Sequence, residues 1–179
     1  MNNLKLSVRD ICFIGIFAAV ISVMAVSIPL PNGVPVTLQT FGIMLAGIIL
    51  GPKKGAIAVL VYILLGAMGV PVFSGFKGGF AVITGPTGGF ILSFPLIALF
   101  SGIGSLKNNL TLVAGIIAGV LLNYFCGMVW FSFVMPSNMH AAFMACVLPF
   151  LPADTVKVVL AAVAGKQIKN ALIRINLYR

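Results

Sequence analysis

Asp154 and Lys157 stand three residues apart in Pro149-Phe-Leu-Pro-Ala-Asp-Thr-Val-Lys157, just before the apolar run 158–164. On a helix that spacing puts a carboxylate and an ammonium on one face. Asp154 is one of only two acidic residues in the chain, the other being Asp10 near the amino end. An acid costs about 2.5–3.5 kcal/mol at the centre of a membrane span and less near its end, so its retention marks a working position. Such a carboxylate accepts hydrogen bonds from the N–H groups of a ligand, each worth about 1.5–3 kcal/mol. The competing role is an N-cap on the last helix, a favoured place for Asp after a proline turn. Lys157, one turn further on, pairs with Asp154 or meets a carboxylate of a ligand. Ala161, Ala164 and Gly165 continue that face with small residues, which let it pack inward rather than face lipid.

A second candidate is the loop Val70-Pro-Val-Phe-Ser-Gly-Phe-Lys-Gly-Gly-Phe80, followed by Gly85-Pro-Thr-Gly-Gly89. Glycines without Cβ atoms let backbone N–H groups approach a ligand closely; tight turns alone are the alternative. The order is not G-x-x-x-x-G-K-[ST], so no nucleotide site is implied. Lys77 within it is a solvated charge or a contact at the rim of a site. Gln39 reaches a cavity or caps a helix end. On a later apolar segment, Asn123 reads as an interhelical hydrogen-bonding group ahead of a ligand contact, Tyr124 as a further polar residue, and Trp130 as an interface anchor ahead of a stacking wall. His140 has no second His or Cys at metal spacing, and no Ser/His/Asp set, paired carboxylates or H-E-x-x-H motif equips the chain for hydrolysis. Gly15 with Ala19, and Ala18 with Ser22, form small-x-x-x-small pairs that serve internal packing or docking onto another membrane protein.

The elements that must hold these residues follow from composition. Of 179 residues 61% are hydrophobic and 7% charged, with a mean hydropathy of +1.20; soluble domains carry about 25% charged residues. The chain therefore reads as an all-α integral membrane protein of one domain. Six spans are predicted, at about 11–28, 38–50, 56–69, 90–103, 110–135 and 153–173, with Lys166–Arg174 lying along the membrane interface. Pro29 and Pro31 stop the first span, Gly51-Pro52-Lys53-Lys54-Gly55 separates the second from the third, and Pro149 and Pro152 break the last apolar region. Residues 1–27 mimic a secretory signal, but equally apolar segments follow, so the stretch reads as a retained span. Nine of the eleven Lys and Arg residues (Lys5, Arg9, Lys53, Lys54, Lys107, Lys166, Lys169, Arg174 and Arg179) fall on one side of this topology. Cations mark the cytoplasmic face, so both termini are expected inside. Lys77, Lys157, Asp154 and most of the Gly and Pro fall on the outer half. The net charge of +9 is dispersed at span ends, not set among aromatics in a groove, and no nucleic acid partner is expected. Cys12, Cys126 and Cys146 sit in apolar stretches and read as buried small residues. Spans two to four, at about 13–15 residues, fall short of the roughly 20 needed to cross, and together with the outer loops they predict a cavity in the outer half of the bundle.

Taken in order, Pro35-Val-Thr-Leu-Gln39, Gly51-Pro52-Lys53, Gly69-Val-Pro-Val-Phe-Ser-Gly-Phe-Lys-Gly-Gly79, Gly85-Pro-Thr-Gly-Gly89 and Pro149-Phe-Leu-Pro-Ala-Asp-Thr-Val-Lys157 resemble the BioY family. Its members are the biotin-specific substrate-binding (S) components of energy-coupling factor (ECF) transporters. The resemblance implies the six-helix S-component fold, an outward-opening pocket for biotin, and no cofactor or enzymatic activity. It implies that Asp154 and Lys157 hold the ligand. Lys77 occupies a loop position that supplies an Asn contact in some members, and Gln39, Thr87 and Gly79 lie in matching loop motifs. Gly15, Ala18, Ala19 and Ser22 match the surface that docks on a transmembrane coupling protein, with ATP-binding subunits supplying the energy at a prokaryotic cell membrane. An S component for another small vitamin, a self-sufficient proton-coupled carrier using Asp154, and a structural subunit without a ligand are the competing readings.

Overall fold

The computed structural model describes residues 6–28 and 36–175. The 29–35 loop, with the prolines expected to stop the first span, lies outside them, as do Lys5 and Arg179. Among the described residues, eight helices run α1 Val8–Val23, α2 Gln39–Leu50, α3 Pro52–Ala67, α4 Phe80–Thr84, α5 Gly88–Gly104, α6 Asn109–Val134, α7 Met139–Cys146 and α8 Leu151–Arg174. The only strands among the described residues are β1 Ser27–Ile28 and β2 Val36–Thr37, paired antiparallel with Ser27 opposite Thr37.

Six long helices stand where the six spans are predicted, with shifts that have local causes. The first helix ends at Val23 rather than running to Ile28, because the chain turns extended to form β1. It starts earlier than expected, since Ser7 and Asp10 make a reciprocal capping box: the Ser7 hydroxyl accepts from the Asp10 N–H, and the Asp10 carboxylate accepts from the Ser7 N–H. Between α2 and α3 the expected five-residue loop shrinks to Gly51, whose positive φ of 80° turns the chain. Pro52 then occupies the first helical position, where its missing N–H costs nothing. Pro152 likewise lies in the first turn of α8 and starts that helix instead of breaking it. The segment 141–146, read as part of a broken apolar region, is in α7, bent by 54° from α8. The tail from Lys166 to Arg174 is helical, and α8 runs unbroken through it.

α5 is the hub, packing on α2, α3 and α6. The approach is close enough that a Cβ on Gly47 of α2 would collide with the backbone of Ala98 on α5, and one on Gly89 would sit 2.8 Å from the Cys126 carbonyl of α6. Such packing of small residues replaces the hydrophobic drive that helices lack in lipid. The outward faces stay apolar, with Ile11, Ile16, Leu60, Leu64, Leu121, Phe125, Leu160 and Val163 exposed. Among the described helices, only α6 is by itself long and apolar enough to cross a membrane; α7 and α8 reach that measure as a bent pair, and α2 and α5 are apolar but shorter.

The two ends of the bundle differ. At one, α1, α3 and α6 finish and α2, α5 and α8 begin. At the other, charged groups tie helices together: Lys54 to Asp10 at 2.6 Å, Lys166 to Asn109 at 2.5 Å, and Lys169 to Ser105 at 3.1 Å. The Lys54 ammonium, ahead of the Ser7 N–H, holds the Asp10 carboxyl below the usual carboxylate range.

Candidate ligand-binding site

A cavity of about 720 Å³ opens at the end where α2, α5 and α8 begin. Its size lies within the roughly 300–1,000 Å³ of small-molecule sites. Phe90, Ile91, Phe94 and Phe150 give it apolar walls, and polar groups converge on it from β1, α2, α6, α8 and the loops between them.

α8 supplies the charged pair. Asp154 is in the first turn, but Phe150 is the N-cap, so the capping role is corrected and the carboxylate is left for side-chain partners. Its Oδ1 accepts from Lys157 Nζ at 2.7 Å and its Oδ2 from the Tyr124 hydroxyl at 2.5 Å. Lys157 Nζ also donates to Thr40 Oγ1 at 3.3 Å. Both charged side chains are buried, at 5% and 6% exposure for the residues. Burying two charges is expensive, and the direct pair with two further hydroxyl partners offsets that cost. The pair therefore points into the bundle, with α6 and α2 each contributing one hydroxyl group to it.

α2 supplies a second polar group. The Gln39 side-chain amide donates to the Tyr62 hydroxyl, and Tyr62, wholly buried, meets Phe73 edge to face with centroids 5.6 Å apart. Gln39 lines the cavity, as the sequence allowed, and its cap role is absent. Asn123 does form the expected interhelical bonds, donating to Ser93 Oγ at 2.8 Å and to the Phe90 carbonyl at 2.9 Å.

The glycine-rich loop forms one side of the mouth. Phe73 and Lys77 face each other across a tight turn, with backbone bonds of 2.9 and 3.3 Å. Gly75 and Phe76 take positive φ of 70° and 55° to close it. Lys77 lines the cavity and is exposed, and Thr87 lines it half-buried. Gly79 is a correction: it is not among the lining residues. Its N–H donates to the Gly66 carbonyl at 2.7 Å, so it anchors the loop to α3. Trp130 is half-buried and is not among the residues that line the cavity. Its indole turns inward, packs on the bare Gly88–Gly89 backbone and donates to the Gly85 carbonyl at 2.9 Å.

The small residues of α1 divide between two faces. Ala18 is buried, which removes it from any docking surface, and Ser22 is half-buried with its hydroxyl on the Ala18 carbonyl at 2.8 Å. Gly15 and Ala19 are exposed. Cys146 is buried as expected and lines the cavity, whereas Cys12 is exposed.

Thr40 and Tyr62 escaped sequence reasoning. Both are neutral residues whose partners lie tens of residues away, so no local pattern flags them.

A model of the BioY family matches residues 1–174. The chain belongs to the BioY family. It is 37% identical over 163 residues to a probable biotin transporter BioY of Pyrococcus horikoshii, covering 90% of this chain and 97% of that one. It is 39% identical over 165 residues to the biotin transporter BioY of Thermotoga maritima, covering 90% and 96%. The crystal structure of the S-component for biotin from an ECF-type ABC transporter superposes with a TM-score of 0.83 at 30% identity, covering 95% of this chain and 94% of that one. The BioY resemblance read from ordered loop motifs is thus correct over the whole chain, the fold is that of an ECF S-component, and the protein is a membrane protein.

Proposed function

We propose that this protein is the biotin-binding subunit of an ECF-type uptake transporter, a membrane binding protein and not an enzyme. The observation that carries the reading is the buried Asp154–Lys157–Tyr124 group on the wall of a 720 Å³ cavity. It occurs in a chain whose relatives are named biotin transporters and whose structural neighbour is an S-component for biotin. Biotin carries ureido N–H donors, a ureido carbonyl, an apolar bicyclic ring and a carboxylate on a flexible chain. Asp154 accepts from the ureido N–H groups, Lys157 donates to the ureido carbonyl, and the aromatic walls take the ring. Gln39, Thr87 and Lys77 line the remaining contact surface.

The six long helices carry the membrane spans, the first of them beginning after Asp10, and both termini are cytoplasmic. The end holding Asp10, Lys53, Lys54, Lys107, Lys166 and Lys169 carries most of the cations and faces the cytoplasm, so the cavity opens outward. The exposed Gly15–Ala19 face of α1 docks on the coupling protein, and ATP-binding subunits supply the energy, in a prokaryotic plasma membrane.

Isothermal titration of biotin into detergent-purified protein tests the reading. Saturable binding of one biotin per chain, not displaced by riboflavin or thiamine, is expected. Absence of binding, or displacement by either vitamin, overturns the assignment of substrate. Uptake by the reconstituted chain alone, driven by a pH gradient, would make it a proton-coupled carrier instead.

A further inference from the structure

Three charged side chains border the cavity: Asp154, Lys157 and Lys77. The first two neutralise each other at 2.7 Å. Lys77 forms no ion pair among the described residues, so the lining as a whole carries one uncompensated positive charge. Three residues before it, Ser74 also lines the cavity, and its hydroxyl is buried without a hydrogen-bond partner among the described residues. A buried donor without an acceptor costs free energy, and this one stands on the same turn as the unpaired ammonium.

The turn that holds both is braced. Its ends are joined by the two Phe73–Lys77 backbone bonds. Phe73 is wholly buried against Tyr62, and its ring fills the space where Gly66 has no side chain. Lys77 and Ser74 are therefore carried on a backbone tied to the core.

We propose that the Ser74–Lys77 turn is a carboxylate subsite at the cavity mouth, which makes this protein select the free acid of its ligand over neutral derivatives. The proposal rests on the biotin reading above. An orphan hydroxyl donor beside an unpaired ammonium calls for an acceptor bearing negative charge, and the ligand's side-chain carboxylate is such a group. With the ureido ring at Asp154 and Lys157, the acid reaches outward to this turn.

Competitive binding of biotin, biotinamide and biotin methyl ester to the purified full chain tests it. Lys77→Met is expected to weaken biotin about tenfold while changing biotinamide and the ester by no more than about twofold. Ser74→Ala shifts the same preference in the same direction, and Lys77→Arg retains it. The acid-over-amide preference of the wild type also shrinks as salt is raised, since a charge at an open mouth is screened. Equal losses for acid and amide in Lys77→Met, or no loss for either, overturn the subsite while leaving the biotin reading intact. A wild type that binds none of the three compounds overturns both.

Discussion

At the scale of single residues, the site is a buried charge pair shared among three elements. Asp154 was identifiable because acids are so rare in this chain that each demands a reason. Its helical offset from Lys157 predicted the pair that the structure shows at 2.7 Å. Tyr124, Thr40 and Tyr62 could not be singled out in the same way. A tyrosine or threonine in an apolar helix is ordinary, and the sequence does not say which of them meets Asp154 from 30 and 114 positions away. Removing one member of a buried pair leaves the other charge stranded, at about 3–5 kcal/mol. Asp154→Asn is therefore expected to lower both thermal stability and biotin affinity, the latter at least about tenfold. Adding Lys157→Gln to Asp154→Asn should recover much of the stability, because no buried charge then remains, yet should not recover binding. Thermal unfolding and biotin titration on the single and double variants separate the two roles, and full binding by the double variant would remove the pair from the site.

At the scale of elements, the apolar runs located the helices and the loops' Pro and Gly located their ends, but proline was read with the wrong sign twice. Pro52 begins a helix that the sequence places from residue 56, and Pro152 lies in the first turn of one that the sequence places from residue 153. A proline next to an apolar run is equally compatible with stopping one helix and starting the next, and only the capping geometry decides. The start of α1 was hidden for a similar reason: Asp10 acts both in a capping box with Ser7 and in an ion pair with Lys54 of α3. Because those contacts lower the Asp10 pKa from its ordinary value of 3.8, its contribution to stability is present above that value. It is lost as pH falls through the depressed folded value. Asp10→Asn is expected to lower the melting temperature at neutral pH, with the gap to wild type closing in acid below pH 3.8. A gap that persists unchanged there would show that the carboxylate's charge is not what joins α1 to α3.

At the scale of the whole molecule, the separation of charge from cavity is the organising feature. Among the described residues, Arg9, Lys53, Lys54, Lys107, Lys166, Lys169 and Arg174 collect at one end of the bundle, while the cavity, with Lys77 and Lys157, and the glycine-rich loop occupy the other. That polarity was readable from Lys and Arg positions alone, since it needs only the order of apolar runs. The cavity's lining was only partly readable, because its walls are assembled from residues scattered between Ser27 and Lys157. The proposed orientation predicts that Lys77→Cys in whole cells reacts with a membrane-impermeant maleimide from outside, whereas Lys107→Cys reacts only after lysis, with both variants made in a cysteine-free background. The reverse pattern would invert the protein in the membrane. A last consequence comes from the hydrogen bonds already closed around Asp154. The Asp154 carboxylate already has protein partners, so a guest's polar head wins its place by substitution, one donor for another, which limits the net gain from that exchange. Much of the tightness of capture then comes from the oily flanks contributed by Phe90, Phe94 and Phe150, while the polar cluster adds its share and decides which guest is admitted.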